Sequence, residues 1–393
     1  MHEPLRLGLA LKFLVSSANI KKSNMKIGIL DILYFLTLFQ LLFFSFFLLS
    51  LKKGKRLSNL LLAIFLLSKS FAMINHLFSR FEINNPHIHF VLLPFIFLYG
   101  PSLYSYVRSL AYRDFTIKTR HLFHLIPFIL VNIYFTVIYH TQSTARKVEI
   151  LSNMRDRLPI QAIIIMILIH IIIFIYLFAS FLILLNFRKK LKSIFSSTKK
   201  INLSWLNFIL IGYSVIWVFD ITDFILGRLF VPTPFLESLT LVFIFIFANI
   251  IVYKGLKQPE IFNGVEEAPK YIHSRLTQED KDRYLKLLRS YMLEEKPYLN
   301  PSLTINELGR KISVSPRALS QIINESLGVN FFDFVNSYRV EEAKQFLTDH
   351  SNQNRNILDI LLDVGFNSKS VFNRVFKKYT GMTPSEFKKS QPV

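Results

Sequence analysis

Residues 357–384 read ILDILLDVGFNSKSVFNRVFKKYTGMTP, and their spacing decides the class of the C-terminal part of the chain. The pattern predicts a short helix over Ile357–Val364, a turn at Gly365, and a second helix that restarts after Asn367 and Ser368. In that second helix Val371, Phe372, Val375, Phe376 and Tyr379 recur at three- and four-residue spacing, which gathers them on one inner face. Lys369, Ser370, Asn373, Arg374, Lys377 and Lys378 fall on the opposite face, and Gly381 with Pro384 ends the helix.

Working upstream, a second pair has the same shape. Leu303 and Thr304 lead into a helix over Ile305–Ile312, and a turn follows at Ser313-Val314. Ser315 can cap the next helix, with Pro316 at its first position. From Pro316 to about Ser326, Leu319, Ile322 and Ile323 point inward while Arg317, Ser320, Gln321 and Asn324 point outward, and Gly328 closes the helix. Between the pairs, residues 331–348 form a longer amphipathic helix that buries Phe331, Phe334, Val335, Tyr338, Ala343 and Leu347. A further helix over Gln278–Glu295 carries a stripe of Tyr284, Leu287, Leu288 and Tyr291, suited either to a second copy of the chain or to its own domain. Gly255, Pro259, Gly264 and Pro269 mark residues 254–276 as a linker.

Ile357–Pro384 resembles the second helix-turn-helix of AraC-type transcription regulators. Gly365-Phe366, Phe372, Phe376-Lys377 and Gly381-Thr383-Pro384 stand at that family's spacing, and Asn336–Arg339 with Ala343 and Leu347 is similar to its connecting helix. The likeness spans about residues 300–390, with Ser313 where many members carry Gly and Phe387-Lys388 in place of the usual Tyr-Arg. The resemblance implies two helix-turn-helix units, about 303–327 and 357–380 within a domain over 277–390, and double-stranded DNA as partner. A major groove about 12 Å wide admits one helix, and two such helices enter successive grooves about 34 Å apart. A connecting helix of some 18 residues spans about 27 Å, which suits that separation. Arg317, Ser320, Gln321 and Asn324 are the expected base readers of the first unit, and Lys369, Ser370, Asn373 and Arg374 those of the second. Lys377 and Lys378 are placed on phosphates.

The rest of the chain is of another kind. Of 393 residues, 51% are hydrophobic, only 19% are charged, and 40 are Phe. That excludes a disordered chain and argues against a purely soluble one. Seven apolar stretches, 27–51, 57–79, 88–112, 121–140, 160–187, 203–230 and 235–253, approach the roughly 20 residues needed to cross a bilayer. The fold expected is therefore all-α: a seven-helix transmembrane bundle over 27–253 followed by a cytoplasmic AraC-like double helix-turn-helix domain. The net charge of +21 lies mostly in the apolar part, where 26 Lys+Arg face 9 Asp+Glu; residues 254–393 hold 21 against 17, a balance of +4. Basic excess between apolar segments is the signature of membrane flanks, so DNA binding rests on the motif and not on charge.

Lys52, Lys53, Lys55 and Arg56, then Arg113, Lys118 and Arg120, then Arg188, Lys189, Lys190, Lys192, Lys199 and Lys200 make one set of loops the richer in cations. That set is expected on the cytoplasmic side of a bacterial inner membrane, with the N-terminus outside and the C-terminal domain in the cytoplasm. Residues 1–26, with Arg6, Lys12, Lys21, Lys22 and Lys26, break this rule and read as an extension, non-native or upstream, ahead of a start at Met25. Asp31, Asp220, Asp223 and Glu237 lie toward the outer ends of their segments and are candidates to sense a small-molecule or envelope signal. Headgroup-level placement at helix ends is the alternative. Cys is absent and no His-Glu-x-x-His spacing occurs, so no metal site or cofactor is expected. No phosphate-cradling loop or nucleophile elbow supports an enzyme. The expectation is a membrane-embedded one-component regulator contacting DNA, lipid and a second copy of itself. The alternatives are a transporter or channel with a regulatory tail, and a regulator merely anchored by its spans.

Overall fold

The computed structural model describes residues 28–51, 56–80, 85–112, 114–156, 159–197, 204–229, 231–257, 276–349 and 355–390. The extension 1–26 and most of the linker 254–276 lie outside the described residues. The chain divides into two units, one of residues 1–184 and 204–267, the other of residues 185–203 and 268–393. Among the described residues every regular element is helical; one isolated bridge pairs Phe195 with Thr304.

The first unit contains α1 (Ile29–Ser50), α2 (Arg56–Arg80), α3 (Tyr99–Ala111), α4 (Ile126–Phe135), α5 (Thr144–Asp156), most of α6 (Ile160–Ile194), α7 (Ser204–Arg228) and α8 (Pro234–Lys257). Among the described residues six helical segments are long and apolar enough to cross a membrane: Ile29–Ser50, Arg56–Asn75, Thr119–His140, Ile160–Ile194, Trp205–Arg228 and Pro234–Lys254. The expected third span, 88–112, is not among these six. Pro94 begins a 3-10 turn over Leu93–Leu98, and only the 13 residues of α3 follow it as α-helix. α3 is rich in Tyr, Ser, Gly and Pro because it packs against protein: Tyr99, Leu103, Tyr106, Val107, Leu110 and Ala111 are all buried. Trp205 of α7 donates to the Tyr106 hydroxyl at 2.7 Å, Ser58 bonds Ser109 at 2.9 Å, and Gln40 donates to Asn249 at 2.8 Å between α1 and α8. The outward faces remain greasy. Phe39, Phe43 and Phe46 on α1 and Phe174, Ile175 and Phe178 on α6 are exposed, an apolar surface that a water-soluble unit rarely presents.

The second unit holds the last residues of α6, then α9 (Gln278–Glu294), α10 (Ile305–Lys311), α11 (Pro316–Leu327), α12 (Phe331–Thr348), α13 (Ile357–Asp363), α14 (Lys369–Thr380) and α15 (Pro384–Ser390). It has two cores with α12 contributing to both. Phe331, Phe334 and Val335 join Leu308, Leu319 and Ile323 in one; Phe332, Val340, Ala343 and Leu347 join Ile360, Phe372 and Phe376 in the other. α9 buries Leu288 and Met292 in the first core, and Lys281 pairs with Glu325 of α11 at 2.8 Å. Of its stripe, Leu288, Tyr284 and Tyr291 pack on the chain's own domain while Leu287 stays exposed. Lys281 also holds the Glu325 carboxyl below its ordinary range.

Candidate functional site

Each helix pair is set by its own caps and turn. Thr304 accepts from the Glu307 amide while the Glu307 carboxylate accepts from the Thr304 amide at 3.0 Å, so two orphan donors at the start of α10 are satisfied reciprocally. Ser315 accepts from the Ala318 amide at 3.2 Å and Pro316 opens α11. In the turn between them Ser313 takes φ 55°, the left-handed conformation for which glycine is usual. In the second pair Asn356 accepts from the Leu358 amide at 3.1 Å, and the turn residue Gly365 has φ 86°. A Cβ at Gly365 would collide with the Tyr298 carbonyl oxygen, so this turn requires glycine on two counts.

These pairs present α11 and α14 outward. Leu319, Ile322 and Ile323 are fully buried beneath α11, as are Phe372 and Phe376 beneath α14. On the other side of α11, Arg317 and Asn324 are exposed and Ser320 and Gln321 half-buried. Asn324 donates to Ser320 at 3.3 Å and Gln321 to Glu325 at 3.3 Å. On α14, Lys369, Ser370, Arg374 and Lys377 are exposed and Asn373 is half-buried. Lys378 is drawn aside, since its ammonium pairs with Asp333 of α12 at 2.9 Å, and this bond raises it above the ordinary lysine range. Two polar, cation-bearing helix faces on rigid apolar backings are what groove recognition needs.

Sequence reasoning missed the centre of this unit. Arg339 is fully buried and donates to the carbonyls of Tyr298 at 2.7 Å and Asn300 at 2.8 Å and to Asn336 Oδ1 at 3.1 Å. It also donates to the Ser196 carbonyl and hydroxyl, both at 3.2 Å. Burial pushes the guanidinium down to about 9, which leaves it charged at neutral pH. Ser196 donates in turn from its amide and its hydroxyl to the Leu303 carbonyl, at 3.1 and 2.7 Å. Ser197 donates to Asn367 Oδ1 at 2.9 Å, just before α14 begins. The segment Phe195–Ser197, which follows α6, thus reaches the entry of the first helix pair and the turn inside the second. No local pattern could have shown partners more than 100 residues apart in sequence.

The helix-turn-helix domain family matches residues 308–390. This is an AraC-type helix-turn-helix domain. Such a domain implies DNA binding. The chain is 37% identical over 96 residues to an uncharacterised HTH-type transcriptional regulator of Staphylococcus aureus strain COL, covering 24% of this chain and 12% of that protein. It is 30% identical over 89 residues to the uncharacterised HTH-type transcriptional regulator YtdP of Bacillus subtilis strain 168, covering 23% and 11%. The matched part thus spans about an eighth of these relatives' length. Among solved structures, the C-terminal domain of AraT, a response regulator from Geobacillus stearothermophilus, is 28% identical, with 30% of this chain and 91% of that chain covered and a TM-score of 0.25.

The four candidate carboxylates of the apolar unit separate. Asp220, Asp223 and Glu237 all line one cavity of about 170 Å³. Lys69 on the same cavity pairs with Asp220 at 3.8 Å, and Thr233 donates to Asp223. Asp31 stands apart from that lining: at the third position of α1 it accepts from the Gly28 amide at 2.9 Å, serving its own helix start. Among the described residues no group of three or more His, Cys, Asp or Glu is arranged to hold a metal ion.

Proposed function

We propose that the chain is a membrane-embedded one-component transcription regulator. The apolar unit senses a signal, and the AraC-type domain binds a promoter through α11 and α14. The observation that carries control is the Phe195–Ser197 segment. It follows directly from the apolar helix α6 and is bonded to Leu303, Arg339 and Asn367 inside the DNA-binding unit. A shift of α6 would change those bonds at the entry of the first helix pair and in the turn of the second, so two states of the sensor would differ in promoter affinity.

Membrane embedding is supported by the six apolar helices and their exposed Phe and Ile faces. The 3-10 turn Leu93–Leu98 runs on into α3. At 2.0 and 1.5 Å per residue the pair extends about 31 Å, close to the ~30 Å hydrocarbon core, which favours a seventh, protein-enclosed crossing. Seven crossings place the N-terminus outside and the C-terminal domain in the cytoplasm of a bacterial cell, with Arg188, Lys189, Lys190 and Lys192 at the inner face. Arg317, Ser320, Gln321, Asn324, Lys369, Ser370, Asn373 and Arg374 meet base edges, while Lys377, and Lys378 from its pair with Asp333, meet phosphates. The modest balance of +4 favours two copies acting together on one promoter.

The test uses the full chain in detergent, challenged with a genomic fragment library and scrambled duplex competitor at low ionic strength, together with a reporter fused after Val393. Retention of particular fragments and a cytoplasmic reporter are expected. Equal retention of scrambled duplex, or a reporter outside the cell, would overturn the reading.

A further inference from the structure

The cavity of the apolar unit is walled mostly by apolar side chains, yet polar atoms on its lining stand without partners among the described residues. Its volume, about 170 Å³, compares with the roughly 150 Å³ cavity that accommodates one benzene ring. Phe90, Phe135, Met154, Met166 and Ile169 supply apolar wall. Phe90 and Phe135 are stacked, with ring centroids 4.7 Å apart. Phe90 is buried and takes φ 65°, a left-handed backbone that a bulky residue keeps only where its surroundings hold it.

The Tyr99 hydroxyl, the Trp217 Nε1 and the His170 Nδ1 are the buried atoms without a hydrogen-bond partner, and all three residues line this cavity. Tyr99 as a whole is only 2% exposed. Buried polar atoms are ordinarily paired, so three orphans around one void mark a place that a further molecule completes. An indole N–H can only donate, and a phenol hydroxyl donates readily, so that molecule must offer an acceptor. Water would answer these atoms but not the walls, since apolar cavities of this size stay dry. A hydrocarbon would answer the walls and leave the donors unpaired. An apolar body bearing one oxygen answers both. Such a ligand needs no charge: Lys69 pairs with Asp220 at 3.8 Å and Asp223 accepts from Thr233, within the chain itself. An ion would also have to leave water for an apolar wall.

We propose that this cavity binds an uncharged, largely apolar molecule of about one-ring size, an alcohol or a ketone. Its body lies on the Phe90–Phe135 wall and its oxygen accepts from Trp217 and Tyr99. This ligand class deepens the reading of the apolar unit as a sensor and rests on it, while its test is separable from DNA binding.

The probes are benzyl alcohol, ethylbenzene, benzylammonium and benzoate at neutral pH, which share a ring and differ in what it carries. Equilibrium dialysis of the full chain in detergent, against empty micelles, should show saturable uptake of about one benzyl alcohol per chain. Ethylbenzene should bind about fivefold more weakly, the worth of one net hydrogen bond, and the two ions should only partition linearly. Trp217→Phe keeps an aromatic wall and removes the indole donor, so it should weaken benzyl alcohol about fivefold and leave ethylbenzene unchanged. Tyr99→Phe should act in the same way. A general loss of packing would instead weaken both probes together. Linear uptake of every probe, equal affinity for benzyl alcohol and ethylbenzene, tighter binding of either ion, or benzyl alcohol affinity unchanged in both variants would overturn the proposal. The comparison of probes on the parent chain decides even if a variant fails to fold. Fragment retention measured on the same preparation without probe separates the two failures: retained DNA without saturation removes the ligand alone, and saturation without retention removes the regulator alone.

Discussion

Ser313 and Gly365 occupy the turns of the two helix pairs, and both have a positive φ. Ser313 is exposed, so its only cost is the left-handed backbone, about 1–2 kcal/mol for a residue with a Cβ. Ser313→Gly removes that cost but frees the unfolded chain, so a net gain below about 1 kcal/mol is expected in thermal melts of the full chain. Gly365→Ala adds the collision with Tyr298 to the same backbone penalty and should lose more than about 1 kcal/mol. Equal melting of both variants and the parent would contradict the turn geometry. On the outward faces, Arg317→Ala and Arg374→Ala remove exposed side chains, leave the cores intact, and should cost about 1–3 kcal/mol of discrimination between promoter fragments. Lys377→Ala should instead weaken all fragments alike and lower the salt slope by about 1. An unchanged fragment ranking in Arg374→Ala would move that residue from bases to phosphates.

At the scale of elements, α12 shows what a sequence can and cannot reveal. Its apolar stripe is local and readable, because helix periodicity alone puts Phe331, Phe334 and Val335 on one side. Arg339 is unreadable by the same rule, since its burial depends on acceptors at Ser196, Tyr298 and Asn300 that only the fold assembles. Exposure of α11 and α14 was legible for the converse reason: each cap, turn and stripe lies within a dozen residues. α15 was missed because Pro384 reads as a stop, although proline is well tolerated as a first helical residue, and Phe387 packs on the second core. The third apolar stretch reads as one unbroken run because hydropathy counts side chains and does not register the 3-10 turn that precedes α3. Two substitutions check the Arg339 centre. Arg339→Met leaves the Tyr298 and Asn300 carbonyls unpaired and should destabilise the second unit by about 3–5 kcal/mol. Ser196→Ala keeps its carbonyl and amide, loses the hydroxyl bonds to Leu303 and Arg339, and should cost about 1–2 kcal/mol. Urea unfolding followed by loss of DNA retention would rank them; a larger effect for Ser196→Ala would mean that the segment, and not Arg339, organises the unit.

The whole molecule makes removal of its apolar part a more informative experiment than the motif alone would suggest. A fragment of residues 254–393 keeps both helix pairs but lacks Ser196 and Ser197, so Arg339 loses two acceptors and Asn367 its contact before α14. Were the apolar part a simple anchor, that fragment would regulate as the intact chain does once its amount is matched. Were it a sensor acting through Phe195–Ser197, the fragment would regulate constitutively and ignore every stimulus to which the parent responds. Stability separates these outcomes from mere misfolding, because supplying residues 185–203 fused ahead of residue 268 should recover about 1–3 kcal/mol through the restored hydrogen bonds. Affinity should fall in the fragment as well, since a balance of +4 neutralises few phosphates and a single freely diffusing copy gains nothing from a tethered neighbour. Fusing the fragment to a dimerising coiled coil should restore tight retention at physiological salt without restoring stimulus response. If the coiled coil restored both, the apolar unit would act only by bringing copies together, and the Phe195–Ser197 contact would be structural.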